Sequence, residues 1–254
     1  MPASPEMTVV RPHPLSRPWA IFLASMLLAI AWDLSGLDIQ VAHLAGTPDG
    51  FPLQHAWWAE HILHHRWRQV SLVGVGLLGL WAFRPGLRTG QRLERRTALT
   101  LVVLCVVSIN IIKWLSSTSC PWSLAVFGGE AQYVSHWALG AHDGGSGRCF
   151  PSGHATTAFG FLPLGLLWIA PLSDTKRKRS TGWRWMAGCL LLGAVAGTTQ
   201  VIRGAHYPSH VVWTGVICAG ISLTGWHWQL ARLRPKGLTT PVRDAREGTQ
   251  PSLQ

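Results

Sequence analysis

The chain has 254 residues, of which 48% are hydrophobic and only 13% charged, and its apolar residues come in long blocks. That pattern excludes an ordinary soluble core, fits a membrane protein, and leaves length for one large domain or two small ones. A net charge of +11 raises nucleic acid as a partner. The basic residues, however, lie between the apolar blocks and not along one amphipathic face, so they read as topology determinants, with the bilayer as partner and no nucleic acid.

In chain order, residues 1–17 are polar and Pro-rich and read as a disordered cytoplasmic tail. Trp19 to Ser35 is the first span, with Asp33 reaching the outer interface; it lacks a clear signal-peptide cleavage site and is long enough to stay in the membrane. Ala56 to Arg68, carrying Trp57, Trp58 and Trp67, reads as an interfacial amphipathic helix. Val70 to Phe83 is the core of the second span, Arg84 to Arg96 a basic loop, and Thr97 to Ser116 the third span. Ser117 to Arg148 is a long, Gly-rich polar loop. Ser152 to Pro171 is the fourth span, Asp174 to Arg184 a second basic loop, and Trp185 to Gly204 the fifth span. Ser209 to Leu230 is the sixth, with Pro208 opening it and Ser209 as its N-cap. The membrane domain is then 18–230, followed by a cytoplasmic tail over 231–254.

Charge asymmetry sets the orientation. With both ends inside, the inner segments hold two Lys or Arg in 1–18 and five each in 84–96, 174–184 and 231–254. The other five of the 22 are Arg66, Arg68, Lys113, Arg148 and Arg203. The expectation is an all-α, six-transmembrane-helix bundle with an outward-facing site, periplasmic if the cell is Gram-negative. Fifteen Trp against two Tyr suit interfacial belts. Cys105, Cys189 and Cys218 fall within spans as small packing residues. Cys120 and Cys149 bracket the long outer loop, where they either bridge in an oxidising compartment or remain two thiols.

The chemistry concentrates in three stretches on the outer face. Lys113 sits at the end of span three, with Pro121 eight residues on. Cys149-Phe150-Pro151-Ser152-Gly153-His154 opens span four. A Pro-Ser-Gly helix start leaves backbone N–H groups for an anion, with His154 in the first turn to move a proton; an ordinary capping Ser is the alternative. Gln200-x-x-Arg203-x-x-His206-Tyr207-Pro208-Ser209-His210 joins spans five and six. Interfacial Lys and Arg are costly without an anionic partner. Glu130 and Asp143 are the only acids in the outer loops between spans three and six, so a phosphate from outside is the economical partner.

With these residues in this order, the chain resembles the type 2 phosphatidic acid phosphatase superfamily over about residues 97–225. That family carries Lys-x6-Arg-Pro, then Pro-Ser-Gly-His, then Ser-Arg-x5-His-x3-Asp. The corresponding stretches here are Lys113-x6-Cys120-Pro121, Pro151-Ser152-Gly153-His154 and Thr199-Gln200-x5-His206-x3-His210. Cys120, Gln200 and His210 thus stand where the family has Arg, Arg and Asp. Cys120-Pro121-Trp122 and Arg203-Gly204-Ala205-His206 are similar to a divergent bacterial branch.

The resemblance implies a metal-independent lipid phosphate phosphatase of the bacterial inner membrane, needing no cofactor. His206 would be the nucleophile that forms a phosphohistidine, and His154 the acid and then the base. Lys113, Arg203, Ser152 and the Gly153 N–H would hold the phosphoryl oxygens, with a further hydrogen bond from Gln200. Three apart on one helix face, Gln200 and Arg203 offer a repair for the missing Arg. His210 would hydrogen-bond one ring nitrogen of His206 as the family's Asp does. Substrates implied are undecaprenyl pyrophosphate, phosphatidic acid, phosphatidylglycerol phosphate and lipid A 1-phosphate. Transfer to another lipid, or binding or transport of a lipid phosphate without turnover, would use the same site.

Other polar residues admit two readings each. His55 with His61, His64 and His65 is a metal-site pattern or, the reading preferred, a set of headgroup contacts. His136, His142 and Asp143 invite the same thought but read better as solvated loop positions. Gly74, Gly76 and Gly79 read as close-packing positions, Asn110 as an orienting partner of Lys113 or a bond to a neighbouring helix, and the Lys176–Arg179 run as a headgroup anchor.

Overall fold

The computed structural model describes residues 15–58, 66–138, 140–173 and 177–233. Among them the secondary structure is helical throughout, with two isolated bridges and no strand. The eight α-helices are α1 (Ser16–Ser35), α2 (Leu37–Ala45), α3 (Trp67–Phe83), α4 (Thr89–Leu115), α5 (Gly153–Phe159), α6 (Pro163–Ile169), α7 (Arg179–Ile202) and α8 (Pro208–Leu233). By length and apolarity α1, α4 and α7 are fit to cross a membrane, and Gln69–Phe83 and Gly153–Ile169 are shorter apolar stretches. Most of the amphipathic helix expected over 56–68, with His61, His64 and His65, lies outside the described residues, as does the tail beyond Leu233.

Three boundaries differ from the sequence expectation. The fourth span is broken: α5 and α6 are separated by a tight turn in which the Phe161 and Leu162 N–H groups bond back three residues. Pro163 accounts for the break, since it has no N–H to donate and its ring crowds the carbonyl four residues back. The helix behind Pro-Ser-Gly therefore has seven residues, too few for a strong dipole behind the site. Both basic loops are shorter than expected, because α4 and α7 extend back through Thr89 and Arg179. For α4 the reason is Glu94, a fully buried carboxylate that accepts from Arg177 (2.8 Å), the Ser173 hydroxyl (2.8 Å) and the Leu172 N–H (3.1 Å). Arg177 therefore serves Glu94 and not a headgroup; Lys176 lies outside the described residues.

The α5–α6 hairpin-like break sits at the centre, packed on α7, α4 and α8, while α1 covers α8 and α3 covers α4. Close approach uses glycines the apolar pattern did not single out. A Cβ on Gly182 would lie 2.5 Å from the Gly165 carbonyl oxygen, and one on Gly193 would lie 2.2 Å from the Phe159 ring. Gly76 and Gly79, by contrast, face open space. Two buried clusters fill the bundle. One surrounds Leu101, Leu166, Leu223 and Trp226; the other surrounds Cys105, Ile109, Phe159 and Cys218. Outward the helices present Leu27 and Leu28, Leu72 and Val73, Leu104 and Val107, and Leu191 and Val195 to the surroundings. A continuous apolar exterior of this kind marks a membrane protein.

The two ends of the bundle differ. At one end Arg17 lies over Trp183, Arg95 over Trp81, Arg96 over Phe83 and Arg232 over Trp228. At the other, the loop from Ser116 to Ser152 folds back over the mouth of the bundle. Glu94 and Lys113 mark the two ends of α4; the 19 helical steps from one to the other span about 28 Å.

Candidate active site

The loop is held to the bundle by its own backbone. Two 3-10 turns, Pro121–Ser123 and Ala125–Phe127, follow Cys120. Trp122 donates its N–H to the Gly204 carbonyl, Arg148 to that of Ser116, and Cys149 to that of Thr118. Asp143 is buried and accepts from the Ser119 N–H and hydroxyl and from the Gly145 N–H, so it is a loop brace and not a solvated position. His142 is exposed. Cys120 and Cys149 are joined by a disulfide, which ties the end of α4 to the entry of α5.

That strapping sets His154, His206 and Lys113 around one point. Ser152 opens α5, its N–H bonded to the His210 carbonyl and its own carbonyl accepting from Thr214. At the N-cap position it makes no side-chain capping bond, and its buried hydroxyl has no hydrogen-bond partner. Lys113 crosses beneath: an added Cβ on Gly153 would meet its Cδ at 3.9 Å. The His154 and His206 rings lie with centroids 6.1 Å apart, their planes tilted by 59°. Asn110 does not orient Lys113; its amide bonds the Val106 carbonyl of its own helix.

His206 lies in the turn between α7 and α8 and is almost wholly buried. Gly204, at φ +73°, makes that turn, and a Cβ there would lie 2.4 Å from the Phe51 ring. The ring nitrogen Nδ1 of His206 is 3.6 Å from the bridged Cys149 sulfur. A disulfide sulfur has no hydrogen, so any hydrogen bond there is donated by Nδ1 and leaves the Nε2 lone pair free. Burial, and then the positive charge of Lys113 and the neighbouring His210 and His154, hold His206 well below the usual imidazole value of 6.5. The ring is therefore neutral at pH 7, the state a nucleophile needs.

Gln200 and Arg203 meet as their spacing requires. Arg203 donates to the Gln200 side-chain oxygen at 3.3 Å, and its Nε and Nη2 both reach the Gln54 carbonyl, at 3.0 and 2.8 Å. With its oxygen held there, Gln200 keeps an Nε2 that is buried and has no hydrogen-bond partner. The direct contact expected between the Arg203 guanidinium and a phosphate thus gives way to bonds from Arg203 to Gln54 and to Gln200, the residue at the family's Arg position.

His210 does not do what the family's Asp would do. Its centroid is 6.0 Å from that of His206, the two rings share no hydrogen bond, and its Nδ1 donates to the Cys149 carbonyl at 3.1 Å. The reason is that both rings converge on Cys149, one on its sulfur and one on its carbonyl. Ser209 is likewise no N-cap: it lies inside α8, with its N–H and hydroxyl both bonded to Asp38 of α2. His136 also departs from its expected solvated place. Its ring stacks on Phe150, meets His210 edge-on, and lies 3.5 Å from Asp33. Burial lowers its proton affinity, against the pull of Asp33 and Asp38. Asp38 was missed by the sequence reading; an acid in the short apolar stretch Leu37–Ala45 was the available signal.

Fold and site define a helical membrane protein in which a lysine and a serine hydroxyl without a hydrogen-bond partner stand by two histidines beneath a strapped loop. Comparison with protein families makes this specific: the PAP2 superfamily model matches residues 96–234, more than half of the chain, and the protein belongs to that superfamily. Its members are generally phosphatases or phosphotransferases acting on phosphate esters. No curated protein and no solved structure matches the chain.

Proposed function

We propose that the protein is an integral membrane phosphatase that hydrolyses a lipid phosphate or pyrophosphate through a phosphohistidine on His206. The observation that carries the reading is the buried Ser152 hydroxyl, which has no hydrogen-bond partner at the head of α5, next to His154 and close to Lys113 and His206; the Gln200 amide, at the family's Arg position, is a second buried donor without a partner. Leaving a buried donor unmade costs about 1–3 kcal/mol each, a cost that an arriving phosphoryl group removes.

In the first step the neutral Nε2 of His206 attacks phosphorus, the bond to the lipid oxygen breaks, and His154 gives that oxygen a proton. In the second, His154 takes a proton from water, the hydroxide attacks phosphorus, the P–N bond breaks, and inorganic phosphate leaves. Lys113, Ser152, the Gly153 N–H and Gln200 stabilise the charge on the phosphoryl oxygens, with Arg203 behind Gln200. The bundle is six spans with its basic, aromatic-rich end in the cytoplasm and the site on the outer side of a bacterial inner membrane. The roughly 28 Å between Glu94 and Lys113 matches the thickness of a bilayer core. An apolar cavity of about 560 Å³ between α3, α5 and α7, lined by Val70, Gly74, Thr157, Phe161, Trp185 and Leu192, supports a lipid substrate. It runs up to Thr157, whose hydroxyl bonds the His154 carbonyl at 2.6 Å.

One reading competes. Cys120 is locked in a disulfide and His210 gives no hydrogen bond to His206, so two of the family's supports for turnover are absent, as expected of a lipid-phosphate binder. Phosphate release by purified protein from a panel of lipid phosphates, with chelator, separates the two. Release that survives chelation supports the phosphatase; binding without release from any lipid overturns it. A lipid that accepts the phosphoryl group in place of water would mark a phosphotransferase.

A further inference from the structure

A second polar cluster lies beside the first and has the opposite need. Gly36, at φ +67°, ends α1 and turns the chain into α2, which brings Asp33 and Asp38 together. The loop lays His136 on them. One ligand atom from each of Asp33, Asp38 and His136 falls within 4.8 Å of the others. The side chains of His136 and Asp33 are 5% and 7% exposed, and Asp38 is 6% exposed. Within this buried group, Asp33 Oδ1 and His136 Nε2 have no hydrogen-bond partner.

Indole, backbone and serine donors hold the other carboxylate oxygens and leave Asp38 Oδ2 with a single bond. Asp33 Oδ2 accepts from Trp137 at 2.8 Å and Trp213 at 2.7 Å; Asp38 Oδ1 accepts from Trp32 at 2.8 Å and the Ser209 N–H at 3.0 Å. Ser209's hydroxyl holds the other Asp38 oxygen. An outer ring of donors that orients carboxylates, with one carboxylate oxygen unbonded and the imidazole nitrogen held only by a long 3.5 Å contact to Asp33, is the arrangement metal sites use. Two buried carboxylates at this range repel each other, and a single imidazole cannot cancel both charges.

We propose that Asp33, Asp38 and His136 bind one divalent transition-metal ion, of which zinc is the natural probe. One nitrogen and two carboxylate oxygens suit such an ion, and a fourth position stays open to water. Tetrahedral ligands at zinc distances stand about 3.4 Å apart, so the group closes by rotamer shifts of the order of 1 Å. The ion clamps α1, α2 and the loop together behind Phe150 and His210, and it takes no part in phosphoryl transfer. It is a structural site, independent of the proposed reaction.

The test uses the full chain in detergent with the Cys120–Cys149 bond intact, because reduction would expose a rival set in Cys120, Cys149 and His206. After EDTA and dialysis, Zn²⁺ is titrated and read by metal content and by Tm. The expected result is one equivalent bound and a raised Tm, with affinity weakened by more than the roughly 100-fold that loss of an outer-shell partner costs in His136→Ala and in Asp33→Asn, and unchanged in His206→Ala. Co²⁺ in the unsubstituted protein gives a second readout that needs no variant, a visible absorption band displaced by Zn²⁺. No saturable binding and no Co²⁺ band would show that His136 and Asp33 form an ion pair only. Binding that persists in both variants would place the ion elsewhere. Either outcome overturns the proposal.

Discussion

Two buried polar clusters occupy the two ends of α4, and they are finished differently. At Glu94 every demand is met within the protein: a fully buried carboxylate takes Arg177, the Ser173 hydroxyl and the Leu172 N–H. At Lys113 the demands stay open: a cation and two histidines share a site with a serine hydroxyl that has no acceptor, and the Gln200 amide at the family's Arg position also has none. A closed cluster holds helices together, and an open one is shaped for what arrives. The contrast separates a structural charge from a functional one without appeal to position in the chain.

Four substitutions break or sharpen that contrast. The largest effect is expected from His206→Asn, which should lower kcat/KM by about 10⁴-fold or more, as loss of a nucleophile does. Its Tm should fall little, and a steady-state assay beside a melting curve checks both. Gln200→Ala should cost about 10²-fold, the usual scale for one donor to a developing oxyanion, mostly in kcat; an effect confined to KM would mean that the amide binds ground state and transition state alike. Glu94→Ala inverts the pattern. It should destabilise by about 3 kcal/mol, the range for breaking a buried pair, visible as a lower Tm, while the folded fraction keeps its rate within about threefold. The smallest is a shift in pH dependence. Lys113 lowers the proton affinity of His206, so in Lys113→Gln the ring holds its proton to higher pH. The acid limb of residual kcat/KM should then move up in pH, and an unmoved limb would remove Lys113 from the site.

Much of the site was legible because its signals are local. Pro151-Ser152-Gly153-His154 is one contiguous stretch, and His206 and Lys113 carry spacing relative to prolines and cysteines nearby. The Gln200–Arg203 contact follows from helical geometry alone. What the sequence hid was pairing across distance. Ser209 reads as an N-cap because its partner, Asp38, is 171 residues away. Residues 89–96 read as a loop because they are charged, yet they are helical because Glu94 finds Arg177 across 83 residues. His136 reads as solvated because nothing in its neighbourhood announces Asp33. The break at Gly160–Leu162 was legible and missed: Pro163 inside an apolar run is a standard helix stop.

The central claim is that His206 becomes covalently phosphorylated. Rapid-quench mixing of the enzyme with a lipid phosphate labelled in its phosphoryl group, followed by an alkaline gel and mapping of the label, tests it directly. The account predicts an acid-labile, alkali-stable label on His206 that appears before free phosphate, is absent from His206→Asn, and persists longer in His154→Ala because water is no longer activated. Phosphate released at full rate with no labelled protein, or label retained in His206→Asn, would contradict it.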